Sequence, residues 1–373
     1  MEGLARREIW RKESALQRIE LSLQAQTKRL KSLESQLHVA ELLALERELT
    51  SEEELSRLQA ALTSARTEAS DVQNRLQVED VQSDADAVQL ILDLNSEISQ
   101  TAALLADAFR AEGVRSGVEF TAALIRAREA VGPIMAELLE SIHHEEDPVL
   151  VHIALQADMV AFTSGIISAW DFQHQNNTTF AGIYKQMCKS ESQIVSGHWR
   201  ALTRRYSKQR LYNGRDLTEG FSRQLMERLR DILVVSGASI DEPLMRGGIY
   251  SKLETITGTA LRLQQMMGEQ IISHDLEVVS VQVDDVYNAE QMEDMSDVEG
   301  LAPDEQRSLH VLCTIALGLR RCTKPSGGLG DELQVTTLVK PGVILETLMY
   351  DLGLVEDEAV EDEAPSLDEG TES

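Results

Sequence analysis

Cysteine is scarce in this chain: Cys188, Cys313 and Cys322 are the three in 373 residues. They are odd in number, scattered, and form no CxxC pair. That excludes a disulfide framework and points to a reducing compartment. Proline is also sparse, seven in all and falling after residue 130, so the first third holds no residue of the kind that breaks helices. Aromatic residues make up only 4%, which suits long helices better than sandwiches or barrels. The first eleven residues mix arginine with glutamate and carry no apolar run, so no secretory signal is expected. Basic charge is short as well: the formal net charge is −28, with the first fifty residues nearly balanced and the last hundred strongly acidic. Such a surplus repels phosphate and argues against non-specific nucleic-acid binding by the whole chain.

What is present is helix, in lengths that allow two or three domains, with 42% apolar residues to build a core. Leu16, Ile19, Leu23, Gln26, Leu30, Leu33 and Leu37 recur at alternating steps of three and four. Leu55, Leu58, Leu62, Ala65, Ala69, Val72 and Leu76 do the same. A period of 3.5 residues places each set on one stripe of a helix, and such a stripe leaves water only against another helix. The heptad phase slips between Leu37 and Leu55. Thr50 with Glu53, or Ser51 with Glu54, offers a capping box there. Two forms follow: an antiparallel hairpin turning near residue 50, or one rod with a stutter. The lack of glycine and proline at the slip favours the rod. A third seam, Val88, Ile91, Asn95, Ile98, Ala102, Leu105 and Phe109, follows residue 83. Asn95 at an a position either fixes register by finding one polar partner or sits at a solvated edge.

Beyond residue 116 glycines rise and the apolar stripes widen, the mark of a globular bundle. Helices are predicted over 118–131, 134–146, 149–172, 179–211, 216–236 and 249–273. Breaks are expected at Gly132-Pro133, Asp147-Pro148, the polar run 173–178 and Asn213-Gly214. The stretch 149–170 is apolar enough to invite a membrane reading but carries His152, Gln156 and Asp158. An aspartate near the centre of a span costs roughly 2.5–3.5 kcal/mol, so a buried core helix is expected rather than a span. The β-branched stretches 276–283 and 334–340 are expected to pair as two strands. A methionine-bearing acidic loop (284–300) and a helix near 303–322 would lie between them. From residue 351 the chain is almost wholly acidic or small, and a disordered tail is predicted.

Signs of chemistry are few. In His143-His144-Glu145-Glu146, consecutive helical residues point about 100° apart and cannot converge on one ion. A polar helix end is expected there rather than a metal site. Ser326-Gly327-Gly328-Leu329-Gly330 lacks the lysine of a phosphate cradle. No nucleophile has a base at local spacing, so neither catalysis nor a cofactor is expected. The most distinctive charged region is 199–215, with Arg200, Arg204, Arg205, Lys208, Arg210 and Arg215 interleaved with Trp199, Tyr206 and Tyr212. Basic side chains among aromatics are what single-stranded nucleic acid uses. Trp199, Leu202 and Tyr206 nevertheless share a helical face, so the expectation is a core helix with Arg200, Arg204 and Lys208 on its outer face. Those cations would meet acidic surface in the same chain, such as the tail, or on a partner.

The segments Glu191-Ser192-Gln193-Ile194-Val195-Ser196-Gly197-His198-Trp199-Arg200-Ala201-Leu202-Thr203 and Leu317-Gly318-Leu319-Arg320-Arg321-Cys322 resemble stretches of uncharacterised fungal helical proteins with coiled-coil heads. The resemblance implies a helical fold and gives no residue a role. The expected protein is mainly α, with a coiled-coil head (1–112), a helical globular body (113–350, with a small two-stranded element) and an acidic tail (351–373). It is expected to be an intracellular interaction or scaffold protein, cytoplasmic or nuclear, binding a protein partner or a second copy through the head. The alternative is a nucleic-acid-associated regulator acting through 199–215.

Overall fold

The computed structural model describes residues 2–76, 82–145, 147–172, 177–239, 243, 245–296, 309–323 and 333–352. The protein is mainly α. It divides into two compact units, Met1–Gln77 and Val78–Ser373. The division precedes the third seam, so that seam belongs with the second unit rather than with the head expected over 1–112.

The first unit is one helix, α1 (Glu2–Leu76), of 75 residues, about 110 Å long at the α-helical rise. It is the rod, without a turn near residue 50. The Thr50 hydroxyl donates to the Arg47 carbonyl at 3.0 Å, a bond inside the helix, and caps no new one. The phase slip has a geometric consequence. Leu37 and Leu55 are 18 residues apart, about five turns at 3.6 residues each, so the two leucine runs stay on one face across the stutter.

The second unit opens with α2 (Asp84–Asp107), started by a capping box in which Ser83 Oγ accepts from the Asp86 N–H and Asp86 Oδ2 accepts from the Ser83 N–H at 2.9 Å. Helices α3 (Val118–Val131) and α4 (Pro133–Ser141) are separated by Gly132, whose φ of +87° the following proline cannot convert to helix. Helix α5 (Val149–Ser168) begins after Pro148, where Asp147 Oδ1 accepts the Val149 N–H at 3.0 Å. α5 is the described helix long and apolar enough to cross a membrane, and 72% of its apolar window is buried inside the fold. Its Asp158 is fully buried and accepts from Arg228 Nε at 3.0 Å. Burial pushes that carboxyl up, and Arg228 opposes the shift.

The single helix expected over 179–211 is two, α6 (Asn177–Ser190) and α7 (Gln193–Tyr212). Ser192 takes extended backbone and breaks the run without a glycine or proline. α7 ends at Asn213 in the left-handed region. Asn177 and Thr178 of the expected polar turn open α6; the rest of that run lies outside the described residues. Helix α8 (Thr218–Val235) follows. A π turn (Met245–Ile249), α9 (Tyr250–Gln265) and a second π turn (Met266–Gln270) then replace the one helix expected over 249–273.

Two three-stranded sheets close the unit. β1 (Asp275–Val279), β4 (Gly318–Thr323) and β5 (Gln334–Val339) form one in the order β1-β4-β5, all antiparallel. β2 (Glu293–Asp294), β6 (Gly342–Leu345) and β3 (Val311–Ala316) form the other in the order β2-β6-β3. The two stretches expected to pair with each other are thus β1 and β5, in one sheet but parted by β4. The expected helix near 303–322 is replaced by β3 and β4 where it is described. The residues Val311-Leu312-Cys313-Thr314-Ile315 are all buried, and β-branched residues suit a strand covered on both faces. A short helix, α10 (Thr347–Asp351), ends the described chain. The acidic tail beyond 352 and the glycine-rich 326–330 lie outside the described residues.

The core lies where α2, α3, α5, α8 and α9 meet, with strand residues Leu312 and Leu319, and Leu317 between the two strands, beneath. Within it Ile91, Ile98, Leu105 and Phe109 of the third seam are buried, and Val88 is packed at its margin. That corrects the expectation that Val88, Ile91, Asn95, Ile98, Leu105 and Phe109 serve association: their cover is α5 and α9. Asn95 does find one polar partner, but it is backbone. Its Nδ2 donates to the Leu317 carbonyl at 3.0 Å and its Oδ1 accepts the Leu317 N–H at 2.9 Å, pinning the link between β3 and β4 to α2.

Candidate functional site

Two features of the molecule are open to function, one in each unit. On α1 the described seam residues Leu16, Ile19, Leu23, Leu30, Leu33, Leu37, Leu55, Leu58 and Leu62 are all exposed, from 53% at Leu33 and Leu62 to 71% at Leu58. Val72 and Leu76 belong to the same helix, and their side chains lie outside the described residues. Leu42, Leu43 and Leu45 widen the strip through the stutter and are exposed too. Apolar surface of this extent on one stripe is the signature of a contact face.

In the second unit the basic helix α7 is turned opposite to expectation. Its buried set is Ser196, Gly197, Arg200, Ala201 and Arg204, while Leu202 and Tyr206 are exposed. The arginines therefore point in and the predicted core stripe points partly out. Small residues decide this. Gly197 lies so close to the Ile272 carbonyl that an added Cβ would sit 2.4 Å from it, so this face can approach the backbone that follows the second π turn. The long, flexible arginines share the face because their stems fill space and their heads reach polar partners. Arg205 and Lys208 lie 3.6 and 4.0 Å from the buried Glu269 carboxylate, and Arg210 and Arg215 are exposed. The predicted basic patch is thus divided: Arg200 and Arg204 are interior, Arg205 and Lys208 are paired within the unit, and Arg210 and Arg215 face solvent.

The two interior arginines lead to a cavity of about 920 Å³, within the size range of small-molecule sites. Its walls come from the end of α5, from α6 and α7, from the second π turn and from β1 and β4. One side is a polar cluster. Arg200 forms a buried ion pair with Asp275 and also donates to the Ile271 carbonyl, while Tyr184 donates its hydroxyl to Asp275 at 2.6 Å. Gln193 completes the set at 3.3 Å. Burial, with the Asp275 charge adding to it, holds the Tyr184 phenol well above its usual range. Another side is aromatic: Trp170 lies 5.4 Å from Tyr184 and 5.7 Å from Trp199 between ring centroids, and Tyr184 stacks on Trp199.

Arg204 stands apart from that cluster. Its guanidinium lies over Trp170, 4.9 Å from the ring centroid. It donates at 3.4 and 3.3 Å to the carbonyls of Ile167 and Ser168, at the end of α5. Its Nε is buried without a hydrogen-bond partner, and no carboxylate lies within ion-pair distance among the described residues. Burial and the neighbouring Arg200 pull its pKa down to about 10. Sequence reading found Arg200 and Arg204 but placed them outside, and it passed over Tyr184, Asp275 and Trp170. The recoverable signal was the small-residue set Ser196, Gly197 and Ala201, in step with both arginines.

Catalytic arrangements are weak by comparison. Cys188 lines the cavity, but burial first, and then Asp275, raise its thiol above the usual value, the reverse of a reactive thiolate. Ser273 Oγ lies 2.7 Å from His274 Nδ1, and His274 Nε2 lies 2.6 Å from Asp84. These are the residue types of a hydrolytic relay. Asp84 is also held by Arg321 at 2.9 Å, and none of the three lines the cavity, so the set reads as a tie between the start of α2 and the sheet. His144 is buried with Nε2 on the Leu139 carbonyl at 3.0 Å while His143 is exposed, so the pair diverges beyond the end of α4. Among the described residues no group of three or more His, Cys, Asp or Glu is placed to hold a metal ion.

Compared with known proteins, the chain matches no family model, no curated relative and no solved structure.

Proposed function

We propose that this chain is a non-enzymatic interaction protein whose α1 associates with the α1 of a second copy, so that two or more helical bodies are held on one coiled coil. The observation that carries the reading is the continuous exposed leucine seam of α1. Each leucine taken fully out of water contributes about 1.5–3 kcal/mol, and helices in proteins draw most of their stability from packing an apolar face rather than from propensity. A second copy is favoured over an unlike partner by the flanks of the stripe. In the register set by Leu16, Arg29 falls at g and Glu34 at the next e, a pair of opposite charges that a parallel dimer brings together twice by symmetry. The near-balanced charge of the first fifty residues also lets like helices approach, which the acidic body would not.

The test is molar mass in solution. Light scattering behind size exclusion at tens of micromolar should give a multiple of the 41.4 kDa chain. The double substitution Leu58→Glu/Leu62→Glu should return it to the single-chain mass while leaving the unfolding transition of the body in place. A wild-type mass of one chain, or a mass the glutamates leave unchanged, overturns the proposal. The alternative, binding of nucleic acid through 199–215, loses support from the burial of Arg200 and Arg204.

A further inference from the structure

We infer that the cavity beside α7 binds a small organic anion with a flat apolar body, its acidic group seated on Arg204 and its body against Trp170 and Tyr184. This stands independently of the association of α1, since every wall lies in the second unit.

Four observations converge. First, the lining charges do not balance. Arg200 is matched by Asp275, and Arg320 by Glu277 at 2.7 Å; Arg204, Lys185 and Lys189 line the same space with no carboxylate in ion-pair range among the described residues. The excess is positive in a chain whose net charge is −28, so the cavity attracts what the rest of the surface repels. Second, Arg204 is only 9% exposed and yet lacks a counter-ion. A buried cation without a partner is costly. The two carbonyls at the end of α5 supply partial charge at long range, and they occupy two of five N–H donors. A carboxylate or phosphate oxygen supplies the missing full charge and a planar acceptor for the fork.

Third, the head is held in place. Gly268 faces the Arg204 side chain so closely that an added Cβ would sit 2.6 Å from its Cδ and from Nη1. With the Trp170 ring also against it, the guanidinium is a preformed recognition group rather than a mobile surface charge. Fourth, the rest of the wall is apolar or aromatic, with Ile167, Met267, Leu276 and Val278 beside the two rings. Such a lining, with a few convergent polar groups, is the usual make-up of a small-molecule site. The depressed pKa of Arg204 agrees with this: the cation is retained at neutral pH but under strain that an incoming anion relieves.

The experiment uses the full chain and three probes of one shape: naphthoate, naphthyl phosphate, and the neutral naphthamide, with titration followed by calorimetry. Saturable one-to-one binding of at least one of the two anions is expected, with naphthamide weaker by about tenfold or more. Comparing naphthoate with naphthyl phosphate distinguishes a carboxylate from a phosphate head. Arg204→Met should lower the affinity for the preferred anion by about tenfold or more and leave naphthamide unchanged. Because Arg204 is interior, the exposed pair Lys185→Gln/Lys189→Gln provides a variant whose folding is not at risk, with a loss of a few fold expected that salt reproduces. Absence of saturable binding by either anion overturns the inference, and so does equal affinity for the amide. Anion binding that persists in both folded variants overturns it as well. The Leu58→Glu/Leu62→Glu chain should bind as wild type does, which keeps this outcome separate from that of the association test.

Discussion

The seams of α1 and α2 share one period and meet opposite fates. On α1 every described a and d leucine is exposed; on α2 Ile91, Ile98 and Leu105 are buried. The difference lies beside the stripe. Taking Val88 as a, the g positions of α2 are Ala87, Leu94 and Thr101, all buried. In α1 the corresponding g residues include Ser22, Arg29, Gln36 and Glu54. A two-position seam is narrow enough for one partner helix. A third position widens it until several elements can pack on it at once, and here α5, α9 and β4 do so. The period says that a helix needs cover. The width says whether the cover is one helix or a fold.

That contrast can be broken by substitution. The largest effect is expected at the buried seam: Ile98→Ala should cost about 2–5 kcal/mol, read as a lower urea midpoint for the body that is the same at every protein concentration. Leu58→Ala should leave that midpoint alone and instead shift the concentration at which the chain associates. If Leu58→Ala lowers the body's midpoint as Ile98→Ala does, the two seams are not different in kind. A smaller effect is expected at Asn95. Asn95→Leu removes both bonds to Leu317 and leaves its N–H and carbonyl unpartnered, a loss of about 1–3 kcal/mol. Chemical denaturation measures it, and hydrogen exchange at the Leu317 amide should rise ahead of global unfolding.

How much of this was legible in the chain follows from where each signal is local. The starts of α4 and α5 at Gly132-Pro133 and Asp147-Pro148 were readable because those pairs act through backbone sterics within two residues; the ends at Ser141 and Ser168, short of the expected 146 and 172, carry no such pair. The continuity of α1 was readable from the absence of such residues. The break at Ser192 was not, since neither glycine nor proline marks it. Nor was the conversion of 311–323 to two strands, because a short apolar run fits a buried helix or a buried strand equally well. The partner of Asn95 lies 222 positions away, and sequence alone could state the need for a polar group but not name it. In the cavity the inward turn of Arg200 and Arg204 went against the habit of placing charge outside. Only the small residues in step with them carried the contrary signal.

A final distinction between the two units concerns acid. The described part of α1 holds one histidine, His38, and it is exposed; the body holds His144 in its interior, edge-on to Phe109 at 6.2 Å between ring centroids. Burial lowers the His144 pKa below the ordinary 6.5. The bond to the Leu139 carbonyl opposes that shift, and the charge of Arg115 adds to it. Its Nδ1 is buried without a partner, so a proton added there has no acceptor. The folded body therefore binds this proton less readily than the unfolded chain. Its contribution to stability is complete above about pH 6.5 and is lost as pH falls through the lowered folded value. Urea midpoints taken between roughly pH 7.5 and 5 should fall for the wild type. They should fall less steeply for His144→Phe, which has no group to protonate at that place. The difference between the two slopes isolates His144 from the general relief of negative charge on acidification. The helical signal of α1 should follow neither slope. Parallel slopes in the two proteins would mean that the buried imidazole is already free to take its proton, and that the interior around Phe109 is more open than its packing implies.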